Sequence, residues 1–249
     1  MQRVKALSAI RPADLAPVPP RNGEPRTGLS MGEHQAQTTA QWGIGRQEQD
    51  ELALASHQKL AAAYDAGFFD DLVTGYRGLA RDQNLRADST LEKLGTLKPV
   101  FGVKSPQVAE PSMTAGNSTP LSDGASSVLM GSAAWAAERG LAPLARVVDA
   151  RSAAVDFVHG DEGLLMAPVY AVPELLDAHG LTLQDLDFYE IHEAFASTVL
   201  TTLKAWESEE FCRRRLGRSA PLGPIVRDRL DVTGSSLAAG HPLAKSEQA

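Results

Sequence analysis

The sequence has 249 residues, 43% hydrophobic and 22% charged, the make-up of an ordinary globular chain with one large or two small domains. Its 24 basic and 31 acidic residues leave a net charge of −7, which argues against a nucleic-acid surface, and no apolar run approaches the ~20 residues of a membrane span. The opening "MQRVKALSAIRPADLAPVPP" lacks the continuous apolar core of a signal peptide, and a single cysteine, Cys212, excludes an internal disulfide and a multi-cysteine zinc site, so a reducing cytoplasm is expected.

In chain order, "RPADLAPVPPRNGEPRTGLS" (11–30) is dense in Pro, Arg and Gly and predicts extended chain with little regular structure. In "RQEQDELALASHQKLAAAYDAG", Leu52, Ala55, Leu60 and Ala63 fall near helical spacing, and Gly67 is placed to close the helix. "STLEKLGTLKPVFG" predicts a short helix and a turn at Lys98-Pro99, and "SPQVAEPSMTAGNSTPLSDG" a loop. From Ala125 the texture changes. "ASSVLMG" is a short apolar run, and "SAAWAAERG" a helix with Ser132 as N-cap and Gly140 at its end. "PLARVVDARSA" predicts a strand, and "AVPELLDAHG" a helix with Pro173 in its first turn and Gly180 past its end. "DFYEIHE" predicts a strand, "AFASTVLTTLKAW" a helix, and "VTGSSLAAGHP" a short strand entering a glycine-rich loop. That alternation predicts an α/β second half after a mostly helical and looped first half.

Two histidines stand at positions where chemistry gathers. His192 and Glu193 sit where a strand gives way to a helix, and ligands of open α/β sheets collect at strand carboxyl ends, facing the positive ends of helices. Spacing alone fits a packed or capping histidine at least as well. A His-Glu-x-x-His zinc motif is excluded because the second histidine position is Ala196. His241 lies in "GSSLAAGHP", where Gly234 and Gly240 permit close backbone approach. It fits a general base or, equally, an exposed histidine at a turn. "TAGNST" lacks the Gly-Lys-Ser/Thr of a phosphate loop, and Cys212 in "FCRRRLGR" reads either as a thiol activated by its arginines or as an incidental thiol on a basic helix.

Together these segments resemble the thiolase family, in particular the long-chain 3-ketoacyl-CoA type associated with the fatty-acid β-oxidation complex. "GLSMGEHQAQTTAQWGIGRQEQDELALASHQK" is similar to the opening of the thiolase loop domain, and "TLKPVFG" and "TAGNSTPLSDGASSVLM" to its end and the return to the first core domain. "DFYEIHEAFA" resembles the Asn-Glu-Ala-Phe motif with histidine in place of asparagine, as in the trifunctional-enzyme branch, and "GSSLAAGHP" resembles the Gly-His-Pro motif. The segments occur in family order over nearly the whole chain.

The resemblance implies an α/β, thiolase-like fold that is incomplete: a helical loop domain over 1–119, a remnant of the N-terminal core domain over 120–140, and a truncated C-terminal αβα core domain over 141–249. It implies an acyltransferase that takes coenzyme A thioesters as substrate, with no cofactor and no metal. By carry-over, His241 activates a nucleophilic cysteine and His192 serves a second oxyanion hole. Phe101, Ala115, Thr119 (where a serine is more usual) and Phe195 line the pantetheine channel, Met31 sits beside it, and Arg86 approaches the nucleotide end. The expected partners are acyl-CoA or coenzyme A, a second copy, or a β-oxidation partner.

The departures are as informative. Thiolases carry their nucleophilic cysteine before the loop domain and a second cysteine after the Gly-His-Pro helix. This chain begins just before the loop domain, closes with "LAKSEQA", and Cys212 matches neither position. The expectation is a cut version of a longer protein, with a stub of helix after Pro242 and an exposed sheet edge and apolar face. It would be inactive alone, and serve either as a non-catalytic coenzyme A-binding or docking remnant or as one half of a split enzyme.

Overall fold

The computed structural model describes residues 22–242. The predicted extended segment over 11–21 and the predicted helix after Pro242 lie outside the described residues.

The first half is built on two helices. α1 (Met31–Gln41) starts at Ser30, whose hydroxyl accepts from Glu33 N, one of the donors a helix start leaves unpaired. α2 (Arg46–Asp65) follows Gly45, whose N–H donates to Glu48 Oε1 at 2.5 Å. Its buried residues Gln49, Ala53, Ser56, His57, Leu60 and Tyr64 recur every three or four positions, the stripe that a helix presents to one packing partner. α2 closes as expected, with Gly67 in the left-handed region at φ 72°. α3 (Leu91–Gly95) is the short helix predicted before Lys98-Pro99, capped by Thr90.

In the second half, α4 (Ala133–Glu138) has Ser132 as its N-cap, and Gly140 just beyond it has φ 63°. α5 (Ala167–His179) ends at Gly180 as predicted but begins earlier. Pro168 occupies its first turn, and Pro173 lies in its interior. The apolar run "LLMAPVYAV" carries the helix back to a 3₁₀ turn at Leu164–Met166. α6 (Ala196–Glu207) is the predicted "AFASTVLTTLKAW" helix, and α7 (Glu209–Arg214) follows, capped by Ser208. The largest core cluster joins α5, α6 and α7 through Val169, Leu176, Val199, Leu203, Trp206 and Phe211. α8 (Ser236–Ala239) is a single turn inside the predicted glycine-rich loop.

The expected strands are the main difference. Among the described residues, β pairing consists of isolated bridges, including parallel ones between Tyr189 and Leu230 and between Leu121 and His241. The predicted strand at 187–193 therefore pairs at one point only, where Tyr189 N donates to Arg229 O and Asp231 N to Tyr189 O, both at 2.8 Å. The apolar stretches at 125–131 and 143–153 have no regular structure, and Val128, Leu129, Met130, Leu144, Val147 and Val148 are all exposed. A strand needs neighbours to accept its backbone hydrogen bonds, and no described segment pairs its backbone with these. No helix among the described residues is long and apolar enough to cross a membrane.

Candidate active site

The parallel contact of Tyr189 with Leu230 sets residues 191–193 beside 231–236. Ile191 N donates to Asp231 Oδ1 at 2.8 Å, and Glu193 N donates to Ser236 Oγ at 2.9 Å. The same Ser236 hydroxyl lies 2.9 Å from His192 Nδ1. Ser236 Oγ, which accepts from Glu193 N, thus also holds the His192 ring by Nδ1, as donor or as acceptor according to the ring's tautomer. The His192 and His241 rings lie 4.2 Å apart between centroids. Two motifs 49 residues apart in the chain are thus brought to one place.

The turn carrying His241 is held from several sides. His241 N donates to Pro120 O at 3.1 Å, and Asn84 Nδ2 donates to Ala239 O at 3.2 Å. Gly240 has φ 99°, and a Cβ there would overlap Ser122 and Asn84. Gly234, at φ 78°, lies against α2, where a Cβ would come within 2.6 Å of Ser56 O and 2.8 Å of Leu60 N. Both glycines are required by left-handed backbone and by close approach together.

Beneath the histidines lies a buried carboxyl pair. Glu193 is 1% and Asp231 2% exposed. Glu193 Oε2 accepts from Ser56 Oγ at 2.7 Å and from Leu237 N at 3.2 Å, while Ser56 Oγ accepts from Ser235 N at 3.1 Å. Burial, reinforced by the Asp231 charge, pushes Glu193 up to about 8, despite the opposing bond from Ser56. Burial likewise raises Asp231 to about 6. Desolvation, then repulsion from His241, lowers the His192 pKa from its ordinary value and favours the neutral ring.

Of the residues assigned by resemblance, Thr119 and Phe195 adjoin the histidine segments and Phe101 packs on Phe195. Phe195 is buried at the start of α6, and Phe101 meets it edge to face at 5.6 Å. Thr119 bridges both histidine segments: its N–H donates to Ala194 O at 2.9 Å and its hydroxyl to Ser236 O at 2.7 Å. Met31 opens α1 and is partly exposed, and the Phe101 ring covers the neighbouring Gly32 so closely that a Cβ there would overlap it. Ala115 is exposed on a turn fixed by Thr114 N donating to Asn117 Oδ1 at 2.7 Å. Arg86 stands apart on the surface. Its N–H donates to His57 Nδ1 at 3.2 Å, and its guanidinium bonds Gln83 O and Leu85 O in its own loop.

Cys212 is not brought to the site. It is fully buried in α7, and its thiol donates to Trp206 O at 3.4 Å and Ala205 O at 3.6 Å. Sequence reasoning passed over Ser56, Asn84, Asp231 and Ser236. Ser56 and Ser236 read as ordinary hydroxyls, and their importance arises from contacts with residues more than 40 positions away. The described residues hold no group of three or more His, Cys, Asp or Glu side chains suited to a metal ion.

Residues 24–134 match the thiolase N-terminal domain and residues 141–248 the thiolase C-terminal domain. The chain belongs to the thiolase family. Among curated thiolases, the 3-ketoacyl-CoA thiolase of Pectobacterium carotovorum subsp. carotovorum (strain PC1) is 43% identical and that of Yersinia enterocolitica serotype O:8 / biotype 1B is 42% identical, each over 98% of this chain. The chain spans about half the length of these relatives, 55% in each case. Among solved thiolase structures, Bacillus anthracis acetyl-CoA acetyltransferase superposes with a TM-score of 0.70 at 32% identity, over 91% of this chain and 53% of its own. Human mitochondrial 3-ketoacyl-CoA thiolase, solved in complex with CoA, gives a TM-score of 0.69 at 28% identity, over 89% and 50%. The fold is that of a thiolase, covering about half of each neighbour.

Proposed function

We propose that these residues form the coenzyme A-cradling, histidine-bearing part of a 3-ketoacyl-CoA thiolase. The reaction is thiolysis of a 3-ketoacyl-CoA by coenzyme A to acetyl-CoA and a shortened acyl-CoA in fatty-acid β-oxidation. The observation that carries the reading is the apposition of His192 and His241 at 4.2 Å, beside the Phe101–Phe195 pair. On this reading a cysteine thiolate attacks the C3 carbonyl, and the C2–C3 bond breaks. Its electron pair goes to C2, which takes a proton to give acetyl-CoA; coenzyme A then accepts the acyl group. His241 draws the proton from the cysteine thiol, and His192 serves the oxygen that gains charge. Phe101, Thr119, Phe195 and Ala115 line the pantetheine path, with Met31 beside it and Arg86 toward the nucleotide.

Cys212 is unsuited to that nucleophilic role, being buried and bonded to backbone carbonyls. The acyl-accepting cysteine therefore has to come from outside these 249 residues. The chain is divided into a loop domain (1–119), a remnant of the first core domain (120–140) and a second core domain (141–249); the break between the two family matches at 134 and 141 supports the last boundary. Coenzyme A thioester enters as substrate, with no cofactor. The exposed apolar stretches around Val128 and Val147 favour a protein partner, a second copy or a β-oxidation component, and a free thiol suits a reducing, cytoplasmic setting.

Titration calorimetry with coenzyme A tests the cradle. Binding heat from the chain is expected, and no heat at millimolar ligand overturns the reading. The chain alone is expected to give no thiolysis of acetoacetyl-CoA above a blank, whereas a mixture with a cysteine-bearing N-terminal thiolase half is expected to turn over. Binding without turnover in that mixture would favour a second reading, a non-catalytic coenzyme A-binding module, to which the burial of Cys212 already points.

A further inference from the structure

Asp231 is 2% exposed, and its Oδ2 has no hydrogen-bond donor among the described residues, while Oδ1 is taken by Ile191 N. A buried acceptor without a donor is costly. Two carboxyls act on Asp231, the exposed Glu190 and the buried Glu193, and Glu193 Oε2 is already occupied by Ser56 and Leu237. Two ionised carboxylates in contact repel, whereas a proton on Glu193 turns the same contact into a hydrogen bond.

We propose that Glu193, protonated on Oε1 and donating to Asp231 Oδ2, is the positioning residue for His192. The two acids bracket the site on both segments. Asp231 holds Ile191 N, just before His192, and Glu193 holds Leu237 N, just after Ser236. Through Ser56 Oγ, Glu193 also reaches Ser235 N, just before Ser236. Ser236 in turn orients the His192 ring through Nδ1. The carboxyl contact thus fixes the residues on either side of the serine–histidine hydrogen bond. This rests on the assignment of His192 to the thiolase site.

Both carboxyls line a cavity of about 470 Å³ between α2 and the 227–231 turn. From α2, Glu48, Glu51 and Lys59 face that space, with Lys59 Nζ fixed on Leu230 O at 2.6 Å. From the turn come Arg227 and Asp228, and on their own segment the acids neighbour Glu190, whose carboxyl is also raised by burial, and His192. The folded state binds the Glu193 proton more tightly than the unfolded chain does, since Glu193 is raised from 4.5 to about 8. The stability it contributes is complete below the unfolded value and is lost as pH rises through about 8.

The test is an NMR titration of the two histidine rings from pH 5 to 10, without coenzyme A. In the wild-type chain the His192 ring signals are expected to show their own inflection and a second one near pH 8 that follows Glu193. Glu193→Gln keeps an acceptor for Ser56 and a donor for Asp231, so the chain is expected to stay folded, keep the first inflection and lose the second. Asp231→Asn, a second variant should the first fail to fold, removes the facing charge and is expected to move the second inflection down. A single His192 inflection in wild type, or a second inflection that survives Glu193→Gln, overturns the proposal. Coenzyme A calorimetry on the same samples reports on the thiolase assignment separately, so either reading can fail alone.

Discussion

Gly234→Ala is the sharpest probe of how the histidine loop is docked. The residue has φ 78°, and a Cβ there comes within 2.6 Å of Ser56 O, 2.7 Å of Leu60 Cβ and 2.8 Å of Leu60 N. Two of those atoms are helix backbone and cannot swing away. The left-handed conformation costs alanine about 1–2 kcal/mol, and overpacking a tight contact about 1–3 kcal/mol. The sum is about 2–5 kcal/mol, a large share of the ~5–15 kcal/mol that holds an ordinary domain. Gly180→Ala is the control: φ is 62°, and nothing lies within 4 Å of its added Cβ, so only the conformational part applies. Urea unfolding followed by tryptophan fluorescence separates the two. With a slope of about 1–3 kcal/mol per molar urea, Gly234→Ala is expected to unfold about 1 M earlier than Gly180→Ala. The displaced loop also pulls Ser235 N from Ser56 Oγ, so the His192 and His241 ring signals are expected to shift in Gly234→Ala alone. Equal midpoints and unchanged histidines in the two variants would refute the close packing of this loop on α2.

Thr119→Val removes the hydroxyl that donates to Ser236 O at 2.7 Å and is expected to cost about 1 kcal/mol, while Thr119→Ser, which keeps the donor, is expected to lie near wild type in the same urea assay. Equal losses in the two would place the contribution in the methyl group instead. Cys212 is fully buried, so a thiol reagent such as DTNB is expected to react only as fast as the chain unfolds and to titrate one thiol in denaturant. Rapid labelling of the folded chain would contradict its placement in α7.

The elements legible in the sequence are those whose signals are local. Ser132 with Gly140, Gly67 after α2, and Gly180 after α5 each close or open a helix through a few neighbouring residues, and each is found where the pattern placed it. The start of α5 was misplaced for the same kind of reason. Pro173 and Pro168 both carry a helix-start signal, and only packing of Met166 and Val169 into the core decides for the earlier one. The site was half legible. His192 and His241 stood out as histidines at loop–helix junctions, but their pairing depends on the parallel contact of Tyr189 with Leu230, which no local pattern reports. Ser56, Asp231 and Ser236 gave no signal because a serine or aspartate becomes decisive only through a partner distant in sequence.

The missing strands carry the strongest argument about what this polypeptide requires. "ASSVLMG" and "PLARVVDARSA" have the β-branched and apolar residues of buried strands, yet Val128 and Leu129 are 83% and 76% exposed. Strand propensity expresses fit to a half-buried sheet surface, so it is silent where the neighbouring strands are not at hand. Helices satisfy their own backbone and therefore persist: α2, α5 and α6 are formed and buried on one face. The chain spans 55% of its thiolase relatives, and in those stretches it leaves apolar side chains exposed. The histidine pair stands complete without them, because the contacts that build it run only between α2, residues 84–122, the 189–196 segment and the 230–241 segment.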